Sequence, residues 1–171
     1  MLQVTTLLAL GVTLAASSAA AQGRSPKPDA EVMNYRLSME MLRKLPQVQR
    51  ALNAAHAKNP KVFDSIDEER ATARNNKVSL TVAQMAAMLD RRPEARSAFA
   101  SAGWNAREWM LTSEAMGNAV VWIETKKGTL RGAPPATDAQ KANVALLEAN
   151  QAEFQKIMEE LDQLADELIN Q

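Results

Sequence analysis

The sequence predicts an all-α protein, a bundle of about four to five helices with a long C-terminal helix. Three observations carry this reading. Ala, Leu, Met, Gln, Glu and Arg are plentiful while Gly (6), Pro (7) and aromatic residues (4%) are sparse, a composition of helix formers. No segment shows the alternation of β-branched and polar residues that marks a half-buried strand. Several segments instead repeat apolar residues at three- and four-residue steps between recognisable helix caps.

The chain opens with MLQVTTLLALGVTLAASSAAAQG. An apolar run from Leu7 to Ala16 passes into small residues, and Ala19-Ala20-Ala21 offers the pattern read by signal peptidase. Residues 1–21 are therefore expected to be a signal peptide cleaved after Ala21, and the mature chain to be periplasmic or secreted from a bacterium. No Lys or Arg precedes the run, so the amino terminus alone supplies charge there; an uncleaved anchor or a misplaced start is the alternative. No stable membrane span is expected after cleavage, because no other stretch approaches about 18 apolar residues. There is no cysteine, hence no disulfide, and stability must come from the core. About 150 residues remain, enough for one domain.

Residues 22–37 read as a loose, Pro-containing lead-in, and 38–171 as the helical domain. Ser38 is an N-cap. Met39, Leu42, Leu45, Val48, Leu52 and Ala55 then form one stripe to about Ala57, with Pro46 expected to kink or split the helix. A second helix is expected over 60–74, with an acidic middle of Asp64, Asp67, Glu68 and Glu69; "RNNKVSL" follows as a loop. Thr81 and Gln84 form a Thr-x-x-Gln capping box for a third helix, whose Met85, Met88 and Leu89 face inward. Pro93 opens a fourth at its N1 position and Gly103 closes it.

"GWNAREW", residues 103–109, compresses a helix stop, a cap and a start into seven residues. Asn105 is the N-cap and Glu108 sits at N3, an Asn-x-x-Glu box; Trp104 and Trp109 hold the N′ and N4 positions of a hydrophobic staple. The competing reading is a surface site of paired tryptophans with Arg107 exposed. Arg107 lies where the helix dipole disfavours a cation, which suggests a salt bridge to a neighbouring helix. The following helix runs to about Lys127 and is roughly 33 Å long. It is apolar enough to be central, with Trp109, Met116, Val120 and Ile123 on one side and Met110, Val121 and Trp122 broadening the surface.

"GTLRGAPPA", residues 128–136, is the clearest linker. Thr137 and Gln140 then begin a helix with no evident break to Asn170, roughly 48 Å. Leu147, Phe154, Leu161 and Leu168 are seven apart, and Val144, Gln151, Met158 and Ala165 complete a heptad seam. That seam suits bundle packing along the 106–127 helix or a homo-oligomer through residues 144–168.

The net charge is zero but unevenly spread. Residues 142–171 hold seven acids, Glu148, Glu153, Glu159, Glu160, Asp162, Asp166 and Glu167, against Lys156. Residues 36–61 hold Arg36, Arg43, Lys44, Arg50, Lys58 and Lys61 against Glu40. The last helix is expected to dock beside the first; the alternative is an acidic arm for a basic partner. Nucleic acid is not an expected partner, without a basic stripe and with few aromatics.

Catalytic chemistry finds little support. The only histidine is His56, and no nucleophile elbow, HExxH, ExxH, CxxCH or Gly-rich phosphate loop is present. Haem held by His56 and a methionine, or copper(I) on Met39-x-Met41 or Met85-x-x-Met88, are the weaker chemical readings; most methionines fall on apolar stripes as packing residues. No catalytic residue, cofactor or metal is therefore expected.

"SLTVAQM", residues 79–85, contains Leu80-Thr81-x-x-Gln84 and resembles the LTxxQ motif of the Spy and CpxP class of periplasmic helical proteins. "RLSMEM", 36–41, is a degenerate copy with Met41 in place of Gln. That resemblance implies a chaperone or stress-sensor role, although the Pro/Gly linker and the Trp pair depart from the class. The G-x-x-x-R-E-aromatic pattern of Gly103, Arg107, Glu108 and Trp109 resembles small uncharacterised secreted bacterial helical proteins and implies no activity. The leading expectation is a non-enzymatic exported protein mediating protein interaction or client assistance. Trp104, Arg107, Trp109, Glu159 and Glu160 are its candidate interaction residues. The alternative is a small-ligand or metal-binding helical bundle.

Overall fold

A computed structural model describes residues 29–130, 132 and 134–169. The expected signal peptide and residues 22–28 lie outside the described residues. Among those described, every regular element is a helix: α1 (Ala30–Asn34), α2 (Met39–Lys58), α3 (Pro60–Asn75), α4 (Val82–Asp90), α5 (Pro93–Ser101), α6 (Ala106–Lys126), α7 (Asp138–Ala149) and α8 (Gln151–Ile169). The fold is all-α, and none of these helices is long and apolar enough to cross a membrane.

The helix ends follow local chemistry. Ser38 accepts from the Met41 N–H, and both Thr81–Gln84 and Thr137–Gln140 close reciprocal capping boxes. Gly103 (φ 70°) and Gly128 (φ 77°) end α5 and α6. In each case the following N–H reaches back six residues inclusive, Trp104 to the Phe99 carbonyl and Thr129 to that of Glu124, which satisfies otherwise orphaned carbonyls. The end of α3 uses the same turn with Lys77 at φ 55°. A side chain there strains the backbone that glycine would adopt freely. Lys77→Gly is expected to stabilise the protein by about 0.5–1 kcal/mol, seen as a raised urea midpoint; an unchanged midpoint would refute the strain.

Pro46 does not split the first long helix. It is buried inside a continuous 20-residue α2, although it leaves the Leu42 carbonyl without its helical donor. Burial holds the helix together there. Leu42, Leu45, Val48 and Leu52 are all at most 2% exposed, each contributing about 1.5–3 kcal/mol of apolar transfer.

The C-terminal helix is long but interrupted once. Asn150 adopts φ −117°, ψ 30°, and both its backbone N–H (3.1 Å) and its Nδ2 (2.8 Å) donate to the Leu146 carbonyl. A side-chain amide that competes for a helical carbonyl is how Asn ends helices. The break lets the two parts pack differently. α7 lies on α6, and α8 lies along α2, rather than one helix running the length of α6. The α2–α8 pairing is the expected basic-to-acidic one, with Arg43 on Glu153 (Nε–Oε1 2.6 Å) and Arg50 on Glu160. Asn53 adds a buried bond from Nδ2 to the Leu164 carbonyl, 2.7 Å.

Half of the heptad seam is buried inside the chain, while Phe154, Met158 and Leu168 stay half-buried and Gln151 is exposed. Val144, Leu147, Leu161 and Ala165 are buried, and so are Ile157 and Leu164 beside them. This is the wider stripe of a globular bundle helix. Two helices share the centre: α6 packs against α1, α2, α4 and α7, while α2 also meets α3, α5 and α8.

The second half of the expected lead-in is fastened down. The Asp29 carboxylate caps two helices at once, accepting from the Glu31 N–H of α1 (2.9 Å) and the Val82 N–H of α4 (3.1 Å). Asn143 of α7, 2% exposed, donates to the Tyr35 carbonyl and accepts from the Leu37 N–H, both at 2.9 Å. The Tyr35 hydroxyl meets Thr112 Oγ1 of α6 at 3.2 Å. These partners lie far away in sequence, so no local pattern announced α1.

Candidate functional site

The tryptophan segment is structural in its placement. Trp109 is 6% exposed, with its ring 5.6 Å from that of Phe99 at 49°. Trp104 is half-buried against the same core. Only half of the expected box forms: Asn105 accepts from the Glu108 N–H (2.9 Å), but the Glu108 carboxylate takes the Asn105 Nδ2 (2.8 Å) rather than a backbone N–H. An asparagine cap brings an amide N–H donor as well as its acceptor oxygen, and here that donor takes the carboxylate. Arg107, exposed in the first turn of α6, pairs with Glu31 of α1, which answers its misfit with the helix dipole. On α8, Glu160 is held by Arg50, and exposed Glu159 accepts from Gln155 Nε2 at 3.0 Å. The five sequence-selected residues thus have separate partners and do not converge on one site.

A different region is concave. A cleft of about 310 Å³ opens between α1, α6, α7 and the end of the linker. Val32 and Met33 form one wall, Gln140, Asn143 and Val144 another, and Pro134–Ala136 a third. The floor is one face of α6: Ala115, Asn118, Ala119 and Trp122, with Val121 beside them. Positions 115, 118, 119 and 122 recur at helical spacing, so one face presents two small residues, an amide and an indole. The linker approaches this face closely at Gly132, where a Cβ would stand 2.7 Å from Val121 Cγ1.

No family model, curated protein or solved structure matches this chain.

The chemistry of the cleft is read from its own atoms. None of the described lining residues is charged. Gln140 is committed: its Oε1 accepts from the N–H groups of Ala136 (2.8 Å) and Thr137 (3.2 Å), and its Nε2 donates to Met33 Sδ (3.1 Å). Asn143 is committed to Tyr35 and Leu37. Asn118 and the Trp122 indole carry no such commitment and stand one turn apart on α6. The sequence had flagged Trp122 only as a broadening of the apolar surface. The run Val120-Val121-Trp122-Ile123 was the available signal, because a helix apolar on all sides needs cover on all sides. All four stay half-buried.

Two other regions were tested by the sequence. Met85 and Met88 line a small apolar cavity of about 30 Å³ with Met110, Phe99 and Trp109, where they act as packing groups. His56 lies against Phe63, ring centroids 5.4 Å apart. Among the described residues, no three His, Cys, Asp or Glu side chains gather as metal ligands would.

On α6, burial pushes the Glu114 carboxyl above its ordinary range; Arg70 opposes the shift and Asp29 adds to it. The unfolded chain therefore ionises this group first. Stability falls as pH rises from the ordinary carboxylate value through the raised folded one, and the loss is complete above it. Glu114→Gln is expected to melt a few degrees higher than wild type at pH 7, with the difference vanishing near pH 4. A lower melting temperature at pH 7 would show that the Arg70 attraction outweighs desolvation.

Proposed function

We propose that this chain is an exported, non-enzymatic helical protein that works by binding, with the cleft on α6 as its binding site. The geometry supports the small-ligand-binding bundle best. The observation that carries this reading is a concavity of about 310 Å³ bounded by four segments of the chain, with no charged group among its described lining residues, within the size range of small-molecule sites, about 300–1,000 Å³. Among the described residues its lining holds no carboxylate, imidazole, amine, hydroxyl or thiol, so these residues offer no acid, base or nucleophile. Export rests on the Leu7–Ala16 run and the Ala-x-Ala site before Gln22. Native mass spectrometry of the full chain recovered from a bacterial periplasm tests both parts. A mature mass beginning at Gln22 with a retained small molecule is expected. An unprocessed mass would remove export. A processed chain that neither retains nor takes up any apolar compound would remove the binding reading.

Protein interaction, the leading expectation from sequence, keeps one observation. With Glu153 and Glu160 paired to α2, the remaining acids of α8 are crowded: burial and then Asp166 push the Asp162 carboxyl up. Glu159 and Glu167 are exposed nearby in sequence. A basic partner would relieve that crowding. A second copy docking through the buried seam residues Val144, Leu147, Leu161 and Ala165 would instead have to displace the helices that cover them. If α8 engages a partner, Glu159→Lys with Glu167→Lys should abolish a specific crosslink in the periplasm; an unchanged crosslink pattern would remove this reading.

A further inference from the structure

The identity of the ligand can be narrowed from the two uncommitted groups on the cleft floor. We propose that the cleft binds an uncharged, largely apolar small molecule carrying one oxygen acceptor, a hydroxyl or carbonyl, held by Asn118 and Trp122. This rests on the reading of the cleft as a binding site.

Charge decides the first part. A carboxylate or ammonium entering the cleft would lose hydration and meet no opposite charge among the described lining residues. An unpaired ion is disfavoured far more than a neutral polar group that finds a partner. The nearest acid of α1, Glu31, is already held by Arg107.

Hydrogen-bonding capacity decides the second part. Of the polar side chains lining the cleft, Gln140 and Asn143 are consumed by the fold. Asn118 is exposed and Trp122 half-buried, with no hydrogen-bond partner among the described residues. The amide offers donors and an acceptor, and the indole offers one donor only. At positions i and i+4 they stand on neighbouring turns of one face. The group that both can serve is an acceptor oxygen. The body of the ligand then covers Val121 and the indole face, which the described chain leaves half-buried, beside the buried Val32 and Val144 of the walls.

The test uses the full mature chain and three probes of one length: 1-octanol, octanoate and octylammonium, titrated by calorimetry below their aggregation limits. Octanol is expected to bind at least tenfold tighter than either ion. Asn118→Leu and Trp122→Phe each remove a donor while keeping bulk, and each should weaken octanol about three- to tenfold. 8-Bromo-1-octanol should quench wild-type tryptophan fluorescence, and the quenching should disappear in Trp122→Phe, where Trp104 and Trp109 remain. Melting curves confirm that both variants fold. Octanoate or octylammonium binding as well as octanol, or octanol binding unchanged in both variants, would overturn the ligand class and leave the site standing. Quenching retained in Trp122→Phe would place the ligand elsewhere. Binding of none of the three probes would overturn the site and the class together.

Discussion

Asn143→Leu is expected to lower the free energy of unfolding by about 2–5 kcal/mol. One side chain, 2% exposed, serves two backbone groups 106 and 108 residues away, the Leu37 N–H and the Tyr35 carbonyl. Leucine has similar bulk but serves neither. Each backbone group left unsatisfied costs about 1–3 kcal/mol, and the apolar burial that leucine adds offsets only part of that loss. The loss should appear as a lower urea midpoint with unchanged slope. It should also appear locally. Amides of residues 35–37 should exchange faster in the native state, because their Asn143 tether to α7 is gone while Met33 stays tied to Thr137 and Gln140 and the Asp29 cap on α4 remains. A loss below about 1 kcal/mol would mean that water takes over both bonds at little cost. Because Val32 and Met33 form one wall of the cleft, the same substitution should weaken octanol binding beyond the effect of stability alone.

That tether marks the boundary of what the sequence could reveal. Helix starts and stops are local events, written within about six residues. Ser38, the Thr81–Gln84 and Thr137–Gln140 boxes, Pro93, Gly103 and Gly128 were therefore all legible, and each sits where its pattern placed it. The pairing of α2 with α8 was legible too, because opposite charge at the two ends of the chain is visible without coordinates. Three features were not. A five-residue α1 is too short to show a period, and distant partners hold it. Asn150 is an ordinary helix residue unless its amide turns back onto the Leu146 carbonyl, a choice set by where α7 and α8 must each pack. The cleft draws its walls from four separated segments, so no motif spells it. What the sequence offered instead was the conspicuous GWNAREW stretch, whose local rules are satisfied almost entirely by helix punctuation and core packing.

Trp109→Ala puts that last judgement at risk and is expected to cost about 3–5 kcal/mol. Trp109 is 6% exposed, stacks obliquely on Phe99 and borders the cavity of about 30 Å³ with Leu52, Ile66 and Leu89. Truncation would enlarge an existing void rather than let the neighbours collapse, which puts the cost toward the upper part of the range. With native stabilities of about 5–15 kcal/mol, that is a large share of the total. At roughly 2–4 °C per kcal/mol for a chain of this size, the melting temperature should fall by about 6–20 °C. Trp104→Ala, at a half-buried position, should cost less, about 1–2 kcal/mol. The decisive comparison is binding per folded molecule. Neither residue lines the large cleft, so both variants should bind octanol as wild type does at a temperature where they remain folded. Wild-type melting with binding lost would make the tryptophan pair the recognition surface and displace the cleft on α6. A steep fall in melting temperature with binding kept would leave Asn118 and Trp122, on the same helix as Trp109 and roughly two and a half to three and a half turns further along, as the groups that meet the ligand.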